Sequence, residues 1–271
     1  MPIITLTTDF GLADGYVGTL QGVILSIAPQ ATLVSLSHNV PPQDVPAGAF
    51  VLYQAVPFFP PDTIHLVVVD PGVGSARRAL AVRTPLGTFV APDNGVLSYV
   101  LASTDVEEAV SLTQSAYRLP HVSATFHGRD IFAPAAAHLA NGVPLTELGP
   151  RAINLVRLPM PQPEPTPQGD LVAHVMYIDR FGNLVLDVTA GALADQVTFE
   201  LAGREIERLS QTFADVERSE LVAYVGSTRD HVEIGLRDGN AARVLGARVG
   251  DEVLIRQKGE RKRSPLDDIW T

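Results

Sequence analysis

The sequence predicts an α/β N-terminal domain with a mainly parallel sheet, followed by a smaller, all-β, barrel-like C-terminal domain. Three features predict this. Strand-like and helix-like apolar patterns alternate up to residue 158, prolines occupy every second position of the next segment, and short β-branched segments follow. Hydrophobic residues make up 46% of the 271 residues and charged residues 18%, so the chain is expected to bury a large core.

The N-terminal part alternates between short apolar runs and amphipathic ones. In the first helix Val17, Leu20, Ile24 and Ile27 share one face, and Pro29 ends it. Further helices are predicted at 47–56 and 129–140, and strands at 3–7, 32–36, 64–69, 80–83 and 88–91. In a parallel sheet of this kind, ligands bind beyond the carboxyl ends of the strands.

The clearest sign of a domain boundary is the segment Leu158–Gly169, where prolines alternate with other residues. Alternate prolines remove amide donors and hold the backbone near polyproline II, which is typical of a semi-rigid linker. The predicted division is an α/β domain at 1–158, a linker at 159–169, an all-β domain at 170–258 and a polar tail at 259–271.

The segments after the linker are short, rich in β-branched residues and separated by Gly, Asp and Asn, as strands are. They lie at 171–178, 184–188, 197–201, 221–225, 231–236 and 252–256.

Composition excludes several classes of function. The chain has no cysteine, so disulfides, thiolate nucleophiles and iron–sulfur clusters are impossible. A formal net charge of −10 argues against nucleic-acid partners, which require basic residues. Because neither a signal peptide nor an apolar run of about 20 residues is found, the sequence predicts a soluble cytoplasmic protein without membrane association.

The first polar cluster follows the first predicted strand. Asp9 ends that strand, where carboxylates often accept hydrogen bonds from a ribose diol. Asp14 stands at the start of the following helix and is equally explained as an N-cap.

The second cluster follows the most apolar strand. Pro71, Gly72 and Gly74 permit a tight turn that brings backbone near a ligand, and Asp70 and Arg77 can fold back into a charge pair. The alternative is a structural pair that only braces the loop.

The third cluster leads into a helix of small residues. His127 lies where a loop meets the helix start, a position suited to a ligand-facing imidazole. Asp130 is explained as a helix N-terminal carboxylate, and His138 as a packed or surface residue. A metal site built from Asp9, Asp70, His127 and His138 is conceivable, but no tight ligand spacing such as HExxH is present, so no metal is predicted.

The signatures of common dehydrogenases, P-loop proteins and serine hydrolases are missing: no GxGxxG follows a strand, and neither GxxxxGK[ST] nor GxSxG occurs. The motifs that do occur are TTDFG at 7–11, DPGVG at 70–74, APDNG at 91–95, FHGRDIFAPAAAHLA at 126–140, YIDRFGN at 177–183 and GNAA at 239–242. In this order they resemble the S-adenosyl-L-methionine (SAM) hydroxide adenosyltransferases, or adenosine-forming SAM hydrolases, which are relatives of fluorinase and chlorinase. The resemblance spans about residues 2–256.

The resemblance implies cleavage of SAM by water into adenosine and L-methionine, without a cofactor. It also implies a homotrimer whose sites lie between one subunit's N-terminal domain and a neighbour's C-terminal domain. The family's Asp-Arg-His triad falls on Asp70, Arg77 and His127; Arg78 is a rival, but the spacing favours Arg77. The substrate-binding positions implied are Asp9 for the ribose diol, and Asp14, Tyr16, Asn94, Gly128, Asp179, Phe181, Asn183, Thr228, Arg229 and Glu233.

The halogenating relatives offer a contrast. Where they place a tyrosine and a threonine around the halide, this sequence has Asp70 and Val73, and Gln43 falls where they carry a tryptophan. A carboxylate beside the nucleophile repels halide and can hydrogen-bond water, so the resemblance favours the hydrolytic branch.

Two mechanisms remain open for the reaction that the resemblance implies. Either Asp70 or His127 removes the water proton as attack proceeds, or the sulfonium and Arg77 stabilise hydroxide character in a dry pocket. Two other functions also remain open: a metal-dependent hydrolase and a non-catalytic nucleoside-binding protein.

Overall fold

The computed structural model describes residues 1–261, with only the backbone for 259–261. The chain forms two compact units, Met1–Met160 and a second unit that begins at Pro161. The boundary falls inside the proline run. The predicted polar tail lies outside the described residues, except that the backbone of 259–261 continues the last strand.

The N-terminal unit alternates strands and helices much as predicted. Its strands are β1 Ile3–Thr8, β2 Thr32–Ser37, β3 Ile64–Val68, β4 Ala79–Thr84, β5 Gly87–Pro92 and β6 Glu108–Ser111. Its α-helices are α1 Tyr16–Ile27, α2 Val45–Ala55, α3 Ser98–Leu101 and α4 Ala133–Ala140. The predicted helix at 129–140 begins with a π-helical turn, Gly128–Phe132.

The N-terminal sheet is mixed, in the order β2-β1-β3-β5-β4-β6. The four strands from β2 to β5 are parallel, as predicted. The expectation of a mainly parallel sheet fails at β4, which is antiparallel to β5 and to β6. The cause is local: only Pro85 and Leu86 separate β4 from β5, and a two-residue connection allows only an antiparallel hairpin.

Helices cover both faces of this sheet. On one face Ile4 and Leu6 of β1 pack against Leu20 and Ile24 of α1 and against the alanines of α4. Because side chains alternate along a strand, Thr5 points to the other face, where α2 and α3 pack. The sheet is thus a rigid central layer whose strand ends can carry a site.

The C-terminal unit is built on a nine-stranded sheet that curls into a half barrel. Its strands are β7 Glu164–Pro165, β8 Leu171–Ile178, β9 Leu184–Thr189, β10 Ala194–Leu201, β11 Arg204–Ile206, β12 Leu209–Ser210, β13 Leu221–Val225, β14 His231–Leu236 and β15 Glu252–Arg261. Strand β8 joins two parts of the sheet, because its first half pairs with β15 and its second half with β9.

Two features of this unit depart from the sequence expectations. A short helix, α5 Ala241–Leu245, interrupts the strands. Within the proline run, β7 pairs with β8, with Glu164 opposite Val172. Proline is tolerated there because an edge strand does not need every amide.

Among the described residues, no helix is both long enough and apolar enough to cross a bilayer.

Candidate active site

The site candidates of the N-terminal unit collect at one edge of its sheet. Asp9 directly follows β1, and Asp70 comes two residues after the end of the neighbouring parallel strand β3. The carboxyl ends of these strands meet beside a pocket of about 390 Å³. The pocket is lined by Asp9, Phe10, Tyr16, Pro42, Gln43, Val68, Asp70, Pro71, Val73, Thr125, Phe126, His127 and Gly128.

The DPGVG loop folds Arg77 back onto Asp70. The amide of Val73 donates to the carbonyl of Asp70 at 3.1 Å, and Gly74 adopts φ +78° at a point where a Cβ would collide with the carbonyl oxygen of Ala124. Nε of Arg77 donates to Oδ1 of Asp70 at 2.9 Å, and its Nη2 donates to Oδ2. The two side chains are only 9% and 5% exposed, so this is a nearly buried, two-pronged ion pair.

The same guanidinium contacts the histidine. Nη2 of Arg77 lies 2.9 Å from Nδ1 of His127, and the guanidinium carbon stands 5.1 Å from the centre of the Phe132 ring. Arginine has no acceptor atom, so Nδ1 must accept this hydrogen bond with its lone pair. We therefore assign His127 as the neutral imidazole with its proton on Nε2.

The electrostatic surroundings favour that neutral form. Burial lowers the pKa of His127, the positive charge of Arg77 lowers it further, and the carboxylates of Asp70 and Asp130 act in the opposite direction. The net shift is downward, as expected for an imidazole that accepts from a guanidinium.

Arg78, the rival of Arg77, has a different partner. Its Nε donates to Asp93 at 2.7 Å, and its two terminal nitrogens donate to the carbonyls of Ile153 and Asn154. Arg78 thus braces the returning chain, and Arg77 alone of the two reaches Asp70.

The π-helical turn Gly128–Phe132 fixes the position of His127, the residue that precedes it. The fully buried Asp130 accepts from both Nε and Nη2 of Arg129 and from the amide of Ser123 at 2.8 Å. Burial acts to raise the pKa of Asp130, but these hydrogen bonds outweigh it and hold that pKa below its usual value. Asp130 therefore anchors the loop before His127 and does more than the helix-terminal role predicted for it.

Asp9 is held by the neighbouring loop. Its Oδ2 accepts from the amide of Gln43 at 2.8 Å, and Gln43 adopts φ +66° to present that amide. Within the described residues Oδ1 of Asp9 has no hydrogen-bond partner, so one oxygen is available to a ligand.

Three aromatic rings form a wall of the pocket. Phe10, Tyr16 and Phe126 contact one another edge to face or tilted, with centroid distances of 5.3 to 5.9 Å. Phe10 and Phe126 were not among the predicted binding residues. The sequence does contain an indication that they line the site, because they stand directly beside Asp9 and His127 within the TTDFG and FHGRD motifs.

Two predicted residues of this unit lie elsewhere. Asp14 is exposed and outside the pocket lining, and it is not an N-cap: Gly15 occupies that position without a side-chain hydrogen bond. The Asn94 side chain donates to the carbonyl of Val69 at 2.8 Å and accepts from the amide of Val96, so its amide ties the turn after β5 to the end of β3.

In the C-terminal unit, Asp179 organises the loop between β8 and β9. Its Oδ1 accepts from the amides of Phe181 and Asn183, and its Oδ2 accepts from the Asn183 side chain at 2.8 Å. Gly182, at φ +88°, leaves room for Asn240, the N-cap of α5. This arrangement leaves Phe181 75% exposed, which is unusual for an aromatic residue.

An open recess of this unit brings four predicted residues together: Asp179, Phe181, Asn183 and Glu233. Tyr224 donates to Oε2 of Glu233 at 2.6 Å. Burial raises the pKa of Glu233, and Asp179 adds to this, although the Tyr224 hydrogen bond acts against it.

The remaining predicted residues, Thr228 and Arg229, are not among those that line the recess. They belong to the turn before β14, where Arg229 and Asp230 both adopt positive φ.

Within residues 1–261, no group of three or more His, Asp or Glu side chains is arranged to hold a metal ion. The acids considered for such a site have other partners: Asp70 is paired with Arg77, and Asp9 accepts from Gln43.

Comparison with known proteins gives the family of the chain. A family model described as the SAM hydroxide adenosyltransferase N-terminal domain matches residues 4–149, and the model of the corresponding C-terminal domain matches residues 173–254. The chain belongs to the SAM hydroxide adenosyltransferase family. The DPGVG loop and the FHGRD turn lie within the first match, and the loop organised by Asp179 lies within the second.

Three relatives illustrate the family. The (R)-S-adenosyl-L-methionine hydrolase of Salinispora tropica is 44% identical over 94% of this chain and 97% of its own length. The fluorinase of an Actinoplanes species is 31% identical over 68% of this chain and 70% of its own. A crystal structure of an uncharacterized conserved protein from Thermotoga maritima, at 35% identity, covers 95% of this chain and all of its own with a TM-score of 0.86.

Proposed function

We propose that this protein hydrolyses SAM to adenosine and L-methionine through attack of water on C5′ of the ribose. The observation that carries the proposal is the array of Asp70, Arg77 and His127 at a pocket that also contains Asp9. Support comes from a relative at 44% identity that is named (R)-S-adenosyl-L-methionine hydrolase.

At C5′ the reaction makes one bond and breaks one. The water oxygen bonds to C5′, the C5′–S bond breaks, and its electron pair returns to the sulfonium, which leaves as the neutral thioether of methionine. The leaving group therefore needs no proton, and catalysis must act on the nucleophile, which is the water molecule. Holding the water about 3–3.5 Å from C5′ and opposite sulfur supplies much of the rate enhancement.

The water proton must leave during the attack. Full transfer from water, with a pKa of about 15.7, to a carboxylate near 3.9 costs about 16 kcal/mol, which excludes hydroxide formed in advance by Asp70 alone. Arg77 is always protonated and cannot be the base. Nδ1 of His127 accepts from Arg77 and Nε2 carries the proton, so His127 has no free basic nitrogen.

We infer that Asp70 accepts the proton as the C–O bond forms. Each of its oxygens accepts one hydrogen bond from Arg77 and keeps another lone pair. Arg77 orients this carboxylate through the two-pronged ion pair. The Nε2–H of His127 is a donor that can orient the water.

The pocket lining favours water over halide. Asp70, Val73 and Gln43 all line it, at the positions where the sequence resembles the hydrolytic branch. A carboxylate there opposes an anionic nucleophile and accepts a hydrogen bond from water.

For substrate binding, we propose that Oδ1 of Asp9 accepts from the ribose diol and that Tyr16 and Gly128 line the adenosyl portion. Asp14 and Asn94 are weaker candidates. Asp14 lies outside the pocket lining, and both the NH₂ group and the oxygen of the Asn94 side chain are hydrogen-bonded to backbone groups.

We propose that the C-terminal unit of a neighbouring subunit completes each site within a homotrimer. Asp179, Phe181, Asn183 and Glu233 would contact the methionine and adenine portions, with Thr228 and Arg229 at the margin. The exposed Phe181 ring supports this, since it offers a stacking surface. A mixing experiment tests it: trimers reassembled from Asp70→Asn and Asp179→Ala subunits should regain activity, and no gain would contradict a shared site.

We also propose that the enzyme prefers the (R) configuration at sulfur. Because L-methionine already fixes the α-carbon, the prefix in the relative's name refers to the sulfonium. With an epimeric SAM mixture, chiral chromatography should show the (R) epimer consumed first, and equal consumption would refute the preference.

The decisive experiment is incubation with SAM in ¹⁸O-labelled water. Label in the 5′-hydroxyl of adenosine is expected, with no loss of rate in a chelator. Loss of activity in the chelator and its recovery with divalent ions would favour a metal-dependent hydrolase. Binding of SAM without formation of adenosine would favour a nucleoside-binding protein. Asp70→Asn should bind SAM but form no adenosine; near-normal turnover would remove Asp70 from the mechanism.

A further inference from the structure

A buried histidine outside the triad lies at the same edge of the sheet. The His38 residue is 6% exposed; its Nδ1 lies 2.9 Å from Oγ1 of Thr8, and its Nε2 lies 2.8 Å from Oγ of Ser35. Thr8 is fully buried and immediately precedes Asp9. Thr8, His38 and Ser35 thus form a hydrogen-bonded relay, and none of the proposed steps of the reaction uses it.

His38 also holds the chain on the far side of Asp9. Its carbonyl accepts from the amide of Gly11 at 2.7 Å. One residue of the β2–α2 loop therefore fixes both ends of the stretch Thr8–Gly11, which carries Asp9 and Phe10.

The proton arrangement of the relay can be derived from its donors. The amide of Phe10 donates to Oγ1 of Thr8 at 3.4 Å. The Thr8 hydroxyl is best satisfied if it accepts that amide and donates its own proton to Nδ1 of His38, which leaves Nε2–H to donate to Ser35. The Thr8 hydroxyl and both ring nitrogens of His38 then have partners, which matters because these two side chains are buried and an unpaired polar group there is costly. Ser35, at the other end of the relay, is exposed.

We propose that the relay of Ser35, His38 and Thr8 is a positioning element that sets the orientation of the Asp9 carboxylate for the substrate. The inference rests on the proposed function. Asp9 itself is clamped from the same loop, because its Oδ2 accepts from Gln43, which leaves Oδ1 for a ligand. Because Asp9 directly follows Thr8, a change in the backbone at Thr8 changes where that oxygen points.

The sheet provides a matched control. Thr5, also on β1, lies 2.8 Å through Oγ1 from Nδ1 of His65, and both residues are fully buried. Thr5 points to the opposite face of the sheet and holds no pocket-lining loop. Replacing either threonine by valine removes one buried hydroxyl from the same strand and nearly preserves its shape.

The test compares Thr8→Val, Thr8→Ser and Thr5→Val in the full-length protein. Thr8→Val should raise the KM for SAM and the Kd for adenosine by roughly five- to tenfold, with kcat within about twofold. Thr8→Ser, which keeps the hydroxyl, should restore both constants. Thr5→Val should lower Tm and leave both constants unchanged.

Hydrogen exchange in the ligand-free protein supplies a readout that does not depend on activity. The amides of residues 9–11 should exchange faster in Thr8→Val and at the wild-type rate in Thr5→Val. Unchanged constants and exchange in Thr8→Val, or an equal rise of KM in Thr5→Val, would overturn the inference. If the wild-type protein hydrolyses no SAM, the proposed function fails, and the exchange comparison alone then decides whether the relay orders this loop.

Discussion

Arg77 donates a hydrogen bond to Nδ1 of His127 at 2.9 Å while it holds the carboxylate of Asp70 in a two-pronged ion pair. A single guanidinium therefore fixes the tautomer of the histidine and the orientation of the acid. The triad is a chain of donors with arginine in the middle, and the acid and the imidazole do not need to touch each other.

The adjacent arginines should differ in their effect on catalysis. Arg77→Lys loses the planar fork, so kcat is expected to fall on the order of 100-fold, and Tm should fall as well because the ion pair with Asp70 is nearly buried. Arg78→Lys loses its contacts with Asp93 and two backbone carbonyls, so the free energy of unfolding should fall by about 1–2 kcal/mol with kcat within about twofold. Steady-state kinetics and thermal unfolding of both variants check this; a larger loss of kcat in Arg78→Lys would contradict the assignment.

The tautomer and pKa of His127 can be measured directly. Since burial and the charge of Arg77 lower its pKa, the ring should titrate at a lower pH than an ordinary histidine, and ¹⁵N shifts should place the proton on Nε2. Removing the neighbouring positive charge in Arg77→Gln should raise that pKa, so the NMR titration of His127 moves to higher pH. A titration that moves to lower pH, or a proton on Nδ1, would refute the geometry.

Buried His65 should make stability depend on pH. Burial lowers its pKa from 6.5 to about 4, although a backbone hydrogen bond at Leu86 opposes the shift. The unfolded chain then binds the proton first as pH falls, so stability is lost between pH 6.5 and about 4. The loss from this group is on the order of 3 kcal/mol. Urea unfolding across this range should show a flatter pH dependence in His65→Gln than in the wild type; an equal slope would assign the loss to other groups.

The backbone of Gly74 should be intolerant of a side chain. At φ +78° an alanine is strained, and its Cβ would lie 2.4 Å from the carbonyl oxygen of Ala124. Gly74→Ala should therefore cost about 2–4 kcal/mol and displace the loop that carries Asp70 and Arg77, with a drop in kcat. Gly142→Ala has similar strain at φ +86° but open space, so about 1 kcal/mol is expected with kcat unchanged. Equal effects of the two substitutions would show that the contact with Ala124 is unimportant.

Much of the fold followed from local pattern. The apolar periodicity of 17–27 and the buried run at 64–69 predicted α1 and β3, because burying a face or a whole strand leaves a direct mark on residue spacing. Strand direction left no such mark. The hairpin of β4 and β5 looks like any two short strands until their two-residue connection is considered, and so the mixed sheet was not foreseen.

The site divides in the same way. By itself the sequence determined which residues are available: Asp70, Arg77, His127 and Asp9, in motifs that carry the family resemblance, and the absence of cysteine that excludes thiol chemistry. Only the tertiary structure decided that Arg77 and not Arg78 pairs with Asp70, and that the Asn94 side chain donates to a backbone carbonyl. The physical reason is that a hydrogen bond depends on the position and direction of two groups far apart in the chain. Spacing along the sequence does not specify these, and the packed sheet and its loops do.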